Sequence, residues 1–290
     1  MAEQSVGFVG LGNLGLAMVT NLVQRSWRVV VHDTAPERVS AASKLGAVVA
    51  DDLLAIADCD YVCLAVPDDA AVSQVLDHGG LLDRLAPEAV VIVHSTVLPL
   101  TAEFLAQECA RRHVGFLDAP VSGGADRARS GDLTVMVGAT QADLDRGRRV
   151  LDDEASEIVH VGPPGAGAAV KLANQLMLFS ALAGAYEAMS VAKAYGVGEE
   201  LVLQAVGSGT GASWSTSHWG FYDKLSADYD AAGVPAQHRP WSKDLLEVVR
   251  AAADKGLAAP VAGLVSAVLP TAVAAHADKS SSASTGEGER

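Results

Sequence analysis

At 290 residues the chain is long enough for one large domain or two ordinary ones, and with half of those residues hydrophobic it is not a disordered polymer. Its 21 basic and 35 acidic side chains give a net charge of −14, which excludes sequence-independent nucleic-acid binding, because that needs a basic footprint. An anionic substrate would need a local cation within this acidic field, and Lys171 is a candidate.

The first half of the chain alternates short apolar runs with helical patterns. Strands are predicted at 6–10, 28–33, 61–66, 90–95, 114–118, 133–138 and 157–162. Helices are predicted at Leu14–Arg25, Pro36–Leu45, Asp69–Asp77, Thr101–Arg112 and Gln141–Leu151. Continuously apolar strands separated by amphipathic helices imply a mainly parallel sheet covered on both faces.

Beyond about residue 164 strand signals stop and Ala-rich helical stretches follow, at 165–195, 199–206, 241–255 and 259–275. This shift predicts three segments: an α/β domain over 1–164, an all-helical substrate and dimerisation domain over 165–278, and a polar, mobile tail over 279–290. The uncharged stretch 256–275 carries Pro260 and Pro270 and reads as a broken, buried helix pair rather than a membrane span. Met1–Ser5 leads directly into a strand with no secretory pattern, so a soluble cytoplasmic protein is expected. Cys59, Cys63 and Cys109 have no metal-ligand spacing and read as small core residues; no metal site is expected.

The first strand runs into Gly10-x-Gly12-x-x-Gly15. In a dinucleotide fold the first glycine makes the tight turn, the second admits the pyrophosphate and the third lets the helix pack on the strand. Asp33 ends the second strand, 18 residues past Gly15, where an acid can accept hydrogen bonds from a ribose. A carboxylate there repels an added 2′-phosphate, so NAD is expected in preference to NADP. Further on, Asp118-Ala-Pro-Val-Ser-Gly-Gly124 must turn sharply after a strand. Ser122 and the amides of Gly123 and Gly124 can hold a carboxylate, or the segment is only a β-turn. In the helical stretch that begins at Gly165, Lys171 and Asn174 interrupt a run of small and apolar residues, three positions apart on one face.

Four segments together, FVGLGNLGLAM (8–18), DAPVSGG (118–124), GAGAAVKLANQ (165–175) and SKDL (242–245), are similar to the signatures of the β-hydroxyacid dehydrogenases related to 3-hydroxyisobutyrate dehydrogenase, with HSTVLP (94–99) a weaker fifth. The resemblance implies an α/β Rossmann N-terminal domain of the 6-phosphogluconate dehydrogenase type, then an all-α C-terminal domain, joined by a long interdomain helix. It implies NAD(P)-dependent interconversion of a 3-hydroxy acid, such as 3-hydroxyisobutyrate, and its semialdehyde or 3-oxo form. Position by position, Lys171 would be the catalytic lysine with Asn174 beside it, and Ser122, Gly123 and Gly124 would bind the substrate carboxylate. The cofactor set would be Gly10, Leu11, Gly12, Asn13, Leu14, Gly15, Asp33, Val66, Pro67, Thr96 near the nicotinamide, and Lys243. The partners implied are a small carboxylate-bearing hydroxy acid or semialdehyde and further copies of the chain in a dimer or tetramer, with no nucleic acid and no membrane.

The chain departs from the family at Gln175, where an asparagine is frequent, and at Arg127, which either binds a second anionic group or lies on the surface. Trp214, His218, Trp219, Phe221 and Tyr222 either line a pocket for a bulky substrate or pack the helical domain, and His238, Arg239 and Trp241 are further candidates. Two other readings remain. An imine reductase shares the architecture but commonly lacks the lysine. A non-catalytic, chromatin-associated relative is disfavoured by the acidic charge and by the lack of a basic arm.

Overall fold

The computed structural model describes residues 4–286, with side chains to residue 278, so the tail expected at 279–290 lies outside the residues described with side chains. The chain divides into two compact units, Met1–Lys171 and Leu172–Arg290.

The first unit is built on a nine-stranded sheet. In chain order it contains β1 (Ser5–Val9), α1 (Asn13–Gln24), β2 (Arg28–His32), α2 (Pro36–Lys44), β3 (Val48–Val49), β4 (Tyr61–Leu64), α3 (Asp69–Ser73), β5 (Val90–Val93), α4 (Pro99–Ala110), β6 (Gly115–Asp118), β7 (Val121–Ser122), α5 (Gly124–Ser130), β8 (Leu133–Gly138), α6 (Gln141–Glu154) and β9 (Ala155–Gly162). The strand order is β3-β2-β1-β4-β5-β6-β8-β7, with β9 also paired to β8. Pairing is parallel from β3 through β6, and β8 runs antiparallel to β6 and β7.

Alternation along the strands divides the core. Val6, Phe8, Val31, Cys63, Ile92 and Leu117 face one apolar layer with Met18 and Leu22 of α1 and Val150 and Leu151 of α6. Val9, Val30, Leu64, Val93 and Phe116 face the other, with Leu76, Leu105 and Cys109. All three cysteines are buried. The expected helix over 69–77 changes winding: α3 stops at Ser73 and Gln74–His78 is a π-helical turn. The two-residue strands β3 and β7 carry too few residues to show a period and were not foreseen.

Helix α7 (Ala166–Ala194) is continuous from the end of the first unit into the second. The second unit continues with α8 (Glu199–Gly207), α9 (Trp214–Ser217), α10 (Phe221–Ala231), α11 (Pro240–Asp254) and α12 (Pro260–Gly286), and no strand occurs there among the described residues. Its core joins Phe179, Leu182, Tyr222, Trp241, Leu245, Leu269 and Val273. The break expected at Pro270 does not occur: α12 runs through it. A proline removes one main-chain donor, and Leu269 and Val273, both fully buried, anchor the helix on either side. By length and composition Ala166–Ala194 and Pro260–Asp278 could each cross a membrane, with 33% and 22% of their most apolar windows buried.

Candidate active site

At the end of β1 the chain must turn at once, and Gly10 does so at φ +94°, where a Cβ would lie 2.5 Å from the Ala65 carbonyl oxygen. A Cβ on Gly15 would lie 2.0 Å from the Gly10 oxygen, so only glycine lets α1 rest on the turn. Gly12 is different. It is the N-cap of α1, has no side-chain capping bond, and a Cβ there would meet nothing within 4 Å. The opening end of α1 thus presents main-chain N–H groups and a favourable dipole towards open space, which fits a dinucleotide pyrophosphate.

Asp33 is drawn into this turn. Its Oδ2 accepts the Leu11 amide at 2.6 Å, its Oδ1 accepts the Ala35 amide at 2.8 Å, and its side chain is only 6% exposed. The carboxylate fixes the turn and retains lone pairs for a ribose hydroxyl. Arg38 lies 3.8 Å from Asp33 Oδ2, so a guanidinium stands close to the proposed selectivity residue. On the neighbouring strands the Val66 amide donates to Ser95 Oγ at 2.9 Å, which ties the exits of β4 and β5 together beside Pro67 and Thr96. Ser95 lies within HSTVLP, but that resemblance singled out only Thr96.

The DAPVSGG segment makes two sets of contacts. Asp118 is fully buried at the end of β6, and its carboxylate accepts the amides of Gly165 at 2.9 Å and Ala168 at 2.8 Å. Burial pushes its pKa up to about 7 even though these amides favour the charged form. The first turn of α7 is pressed against the sheet: a Cβ on Gly167 would lie 2.5 Å from the Met136 oxygen and 2.6 Å from the Asp118 oxygen. Further along the segment, Gly123 and Gly124 take φ +136° and +72°, the left-handed region that favours glycine. Lys171 Nζ donates to the Val121 oxygen at 2.9 Å, so the ammonium sits beside the residue that precedes Ser122. The structure therefore brings Lys171 and the Ser122–Gly124 turn together within the first unit. Arg127 instead pairs with Asp132 at 3.1 Å and is 43% exposed, which makes it a surface arginine.

In the second unit, Asn174 Nδ2 donates to Gln175 Oε1 at 3.0 Å, and Gln175 Nε2 donates to Asp244 Oδ2 at 2.6 Å. Lys243 Nζ meets Asp244 Oδ1 at 3.1 Å and Glu247 Oε1 at 2.9 Å. Burial alone would lower the Lys243 pKa, but Asp244 and Glu247 outweigh it and raise it. Gln175 is thus a buried link between Asn174 and the Lys243 carboxylates. The extra methylene that distinguishes it from asparagine gives it that reach. The aromatic segment packs the helical unit: Trp214 stacks on His218 with ring centroids 4.3 Å apart, and Tyr222 meets Phe179 and Trp241 edge-on.

Two sequence families account for almost the whole chain. The NAD-binding domain of 6-phosphogluconate dehydrogenase matches residues 5–162, and the NAD-binding domain of NADP-dependent 3-hydroxyisobutyrate dehydrogenase matches residues 165–285. The chain belongs to the 3-hydroxyisobutyrate dehydrogenase-related family of β-hydroxyacid dehydrogenases. An uncharacterized oxidoreductase of Synechocystis is 35% identical over 88% of either chain. The mitochondrial 3-hydroxyisobutyrate dehydrogenase of Drosophila melanogaster is 30% identical over 94% of this chain and 82% of its own. The structure of Mycobacterium tuberculosis 3-hydroxyisobutyrate dehydrogenase with L-serine superposes with TM-score 0.80 at 29% identity over 95% of both chains. An imine reductase of Streptomyces aurantiacus shares the fold, with TM-score 0.67 at 22% identity over 95% of both chains. The β-hydroxyacid dehydrogenase family places this chain among the NAD(P)-dependent oxidoreductases that act on CH–OH groups.

Proposed function

We propose that the protein interconverts a small 3-hydroxy acid and its semialdehyde, with Lys171 as the proton donor and acceptor. The observation that carries this reading is the 2.9 Å bond from Lys171 Nζ to the Val121 oxygen, which sets an ammonium against the glycine turn of DAPVSGG. The Ser122 hydroxyl and the Gly123 and Gly124 amides hold the substrate carboxylate, and the lysine faces the carbinol oxygen next to it. In the oxidative direction neutral Lys171 takes the hydroxyl proton as the C–H bond breaks. In the reductive direction the charged form polarises the carbonyl and returns that proton. A nicotinamide cofactor held by the Gly10–Gly15 turn would supply the hydride acceptor or donor.

Asn174, one turn along α7, orients the substrate oxygen or the lysine without adding charge. Asp33 holds the adenosine ribose and favours NAD over NADP, and Gly10–Gly15, Val66, Pro67 and Thr96 complete the cofactor contacts. A cofactor role for Lys243 requires an ammonium shared with Asp244 and Glu247. The substrate is a short hydroxy acid of the 3-hydroxyisobutyrate or tartronate semialdehyde class. We read the protein as cytoplasmic and as a dimer or tetramer. Val261, Leu264 and Val268 form an exposed apolar stripe on α12 that a second copy would cover. Light scattering on the eluted protein gives the mass that tests this.

Turnover of a panel of short 3-hydroxy acids with NAD⁺ and NADP⁺ is the decisive experiment. Lys171→Ala should cut turnover by about 10²–10⁴-fold while cofactor binding persists. Near-normal turnover in that variant would remove the lysine from the mechanism. Reduction of cyclic imines without activity on any hydroxy acid would replace the proposed reaction.

A further inference from the structure

Inside the sheet of the first unit lies a polar trio that neither the cofactor nor the substrate machinery uses. Cys63 comes from β4, His94 follows β5, and Glu154 is the last residue of α6. One ligand-type atom from each lies within 4.8 Å of those of the other two. The His94 and Glu154 side chains have no exposed surface, and Cys63 is fully buried. The neighbours in this layer are apolar: Phe8, Ile92, Val150 and Leu151 belong to the same cluster as Cys63, and Phe8 stacks on the His94 ring.

Buried polar atoms in such a place ordinarily find partners. Here His94 Nε2 and both carboxylate oxygens of Glu154 have none by hydrogen-bond geometry. His94 Nδ1 lies 2.9 Å from the Ala119 carbonyl oxygen and must donate to it, which leaves the Nε2 lone pair aimed at Glu154 and Cys63. This is how a metal-binding histidine is normally held: one ring nitrogen is fixed by an outer carbonyl and the other presented to the ion. The spacing of one pair points the same way. His94 Nε2 and Glu154 Oε2 are 3.4 Å apart, longer than a charge-assisted hydrogen bond. Two donor atoms about 2.0–2.1 Å from one tetrahedral ion stand about 3.3 Å from each other.

We propose that Cys63, His94 and Glu154 supply three ligands of a buried metal site, and that the ion it takes is Zn²⁺. The sulfur, imidazole and carboxylate set suits zinc better than calcium or magnesium, which prefer oxygen ligands. The thiolate and carboxylate neutralise the ion, so the occupied site carries no net charge into the apolar layer. Binding joins β4, the exit of β5 and the end of α6, immediately before Ser95 and Thr96. Because the ligands are enclosed, the ion enters as the chain folds and leaves slowly from the native protein.

The test is metal analysis of tag-free protein produced with zinc in the medium and dialysed before measurement. The proposal expects stoichiometric zinc in the wild type and substoichiometric zinc in Cys63→Ala and His94→Ala. It also expects a chelator to strip the ion far faster in denaturant than from native protein. Since emptying a buried site can prevent folding, zinc-edge X-ray absorption on the wild type supplies a second measurement. One sulfur among nitrogen and oxygen neighbours is the expected spectrum. Folded wild-type protein without zinc, or zinc with no sulfur neighbour, overturns the proposal.

Discussion

The Asp118 carboxylate accepts the Ala168 amide at 2.8 Å, a bond that joins the end of β6 to the first turn of the helix carrying Lys171. A side chain from the DAPVSGG segment thus caps α7 and sets where the lysine emerges. That capping role makes Asp118 a positioning residue, and it has measurable consequences.

Asp118→Asn keeps the shape but presents an amide NH₂ to one of two main-chain donors. It should cost about 1–3 kcal/mol of stability in urea unfolding. It should also lower kcat more than it raises KM for the cofactor, because the displaced group is the lysine rather than the glycine-rich turn. An unchanged kcat would leave Asp118 with a purely structural role.

The same residue predicts a pH effect of definite sign. Asp118 titrates at 3.8 when unperturbed and at about 7 in the folded protein. Between these values the folded state keeps a proton that the unfolded chain has released, so the contribution of this group to stability falls as pH rises through that window and is level above it. Asp118→Asn lacks this dependence. The stability of wild type relative to the variant should therefore decline between about pH 4 and about pH 7. Parallel pH profiles for the two proteins would mean that the carboxylate is ionised throughout.

The three glycines of the turn should separate folding from cofactor binding. Gly10→Ala and Gly15→Ala both drive a Cβ into main-chain atoms, at 2.5 Å and 2.0 Å, and should destabilise the first unit by several kcal/mol. Gly12→Val meets open space, so its melting temperature should stay close to wild type. Its affinity for the dinucleotide should drop by about tenfold or more, because the side chain occupies the pyrophosphate approach. Calorimetric titration with NAD⁺ and NADP⁺ distinguishes the cases. A Gly12→Val protein that binds normally would place the phosphates elsewhere.

Asp33→Ser should move the ratio of kcat/KM for NADP⁺ over NAD⁺ upward by about tenfold or more. It removes the repulsion of a 2′-phosphate and releases Arg38, now 3.8 Å away, to attract one. It also deletes the bond to the Leu11 amide, so some loss of stability should accompany the switch. A wild-type enzyme that already prefers NADP⁺ would refute the selectivity role of Asp33.

Gln175→Leu leaves Asp244 without its 2.6 Å donor in a buried setting and should cost about 1–3 kcal/mol in urea unfolding. Gln175→Asn is one methylene shorter and should recover little of that. Full stability in Gln175→Asn would show that the longer side chain is not needed for the link.

Much of this architecture could be read along the chain. The apolar alternation of Val6–Val9 and Tyr61–Leu64 places successive side chains on opposite faces, and that local property announced a doubly covered parallel sheet. The spacing of Gly10, Gly12 and Gly15 is equally local, since one turn connects them. The signatures DAPVSGG and GAGAAVKLANQ named Ser122–Gly124 and Lys171 as candidates by resemblance. The helix pattern at 259–275 was recognised, but its break at Pro270 was not a safe inference, because buried Leu269 and Val273 compensate for one missing donor.

Only the tertiary structure decided which groups meet. Asp118 and Ala168 are 50 residues apart, and no periodicity relates them. Gln175 and Asp244 are 69 apart, and Cys63, His94 and Glu154 come from β4, the exit of β5 and α6. Periodicity and turn chemistry act over a few residues, so the sequence by itself determined most of the elements, their order and the glycine turn. Hydrogen bonds and ligand sets act in space across strand crossings. Those partnerships, and with them the cap beneath Lys171 and the buried polar trio, exist only once the sheet has assembled.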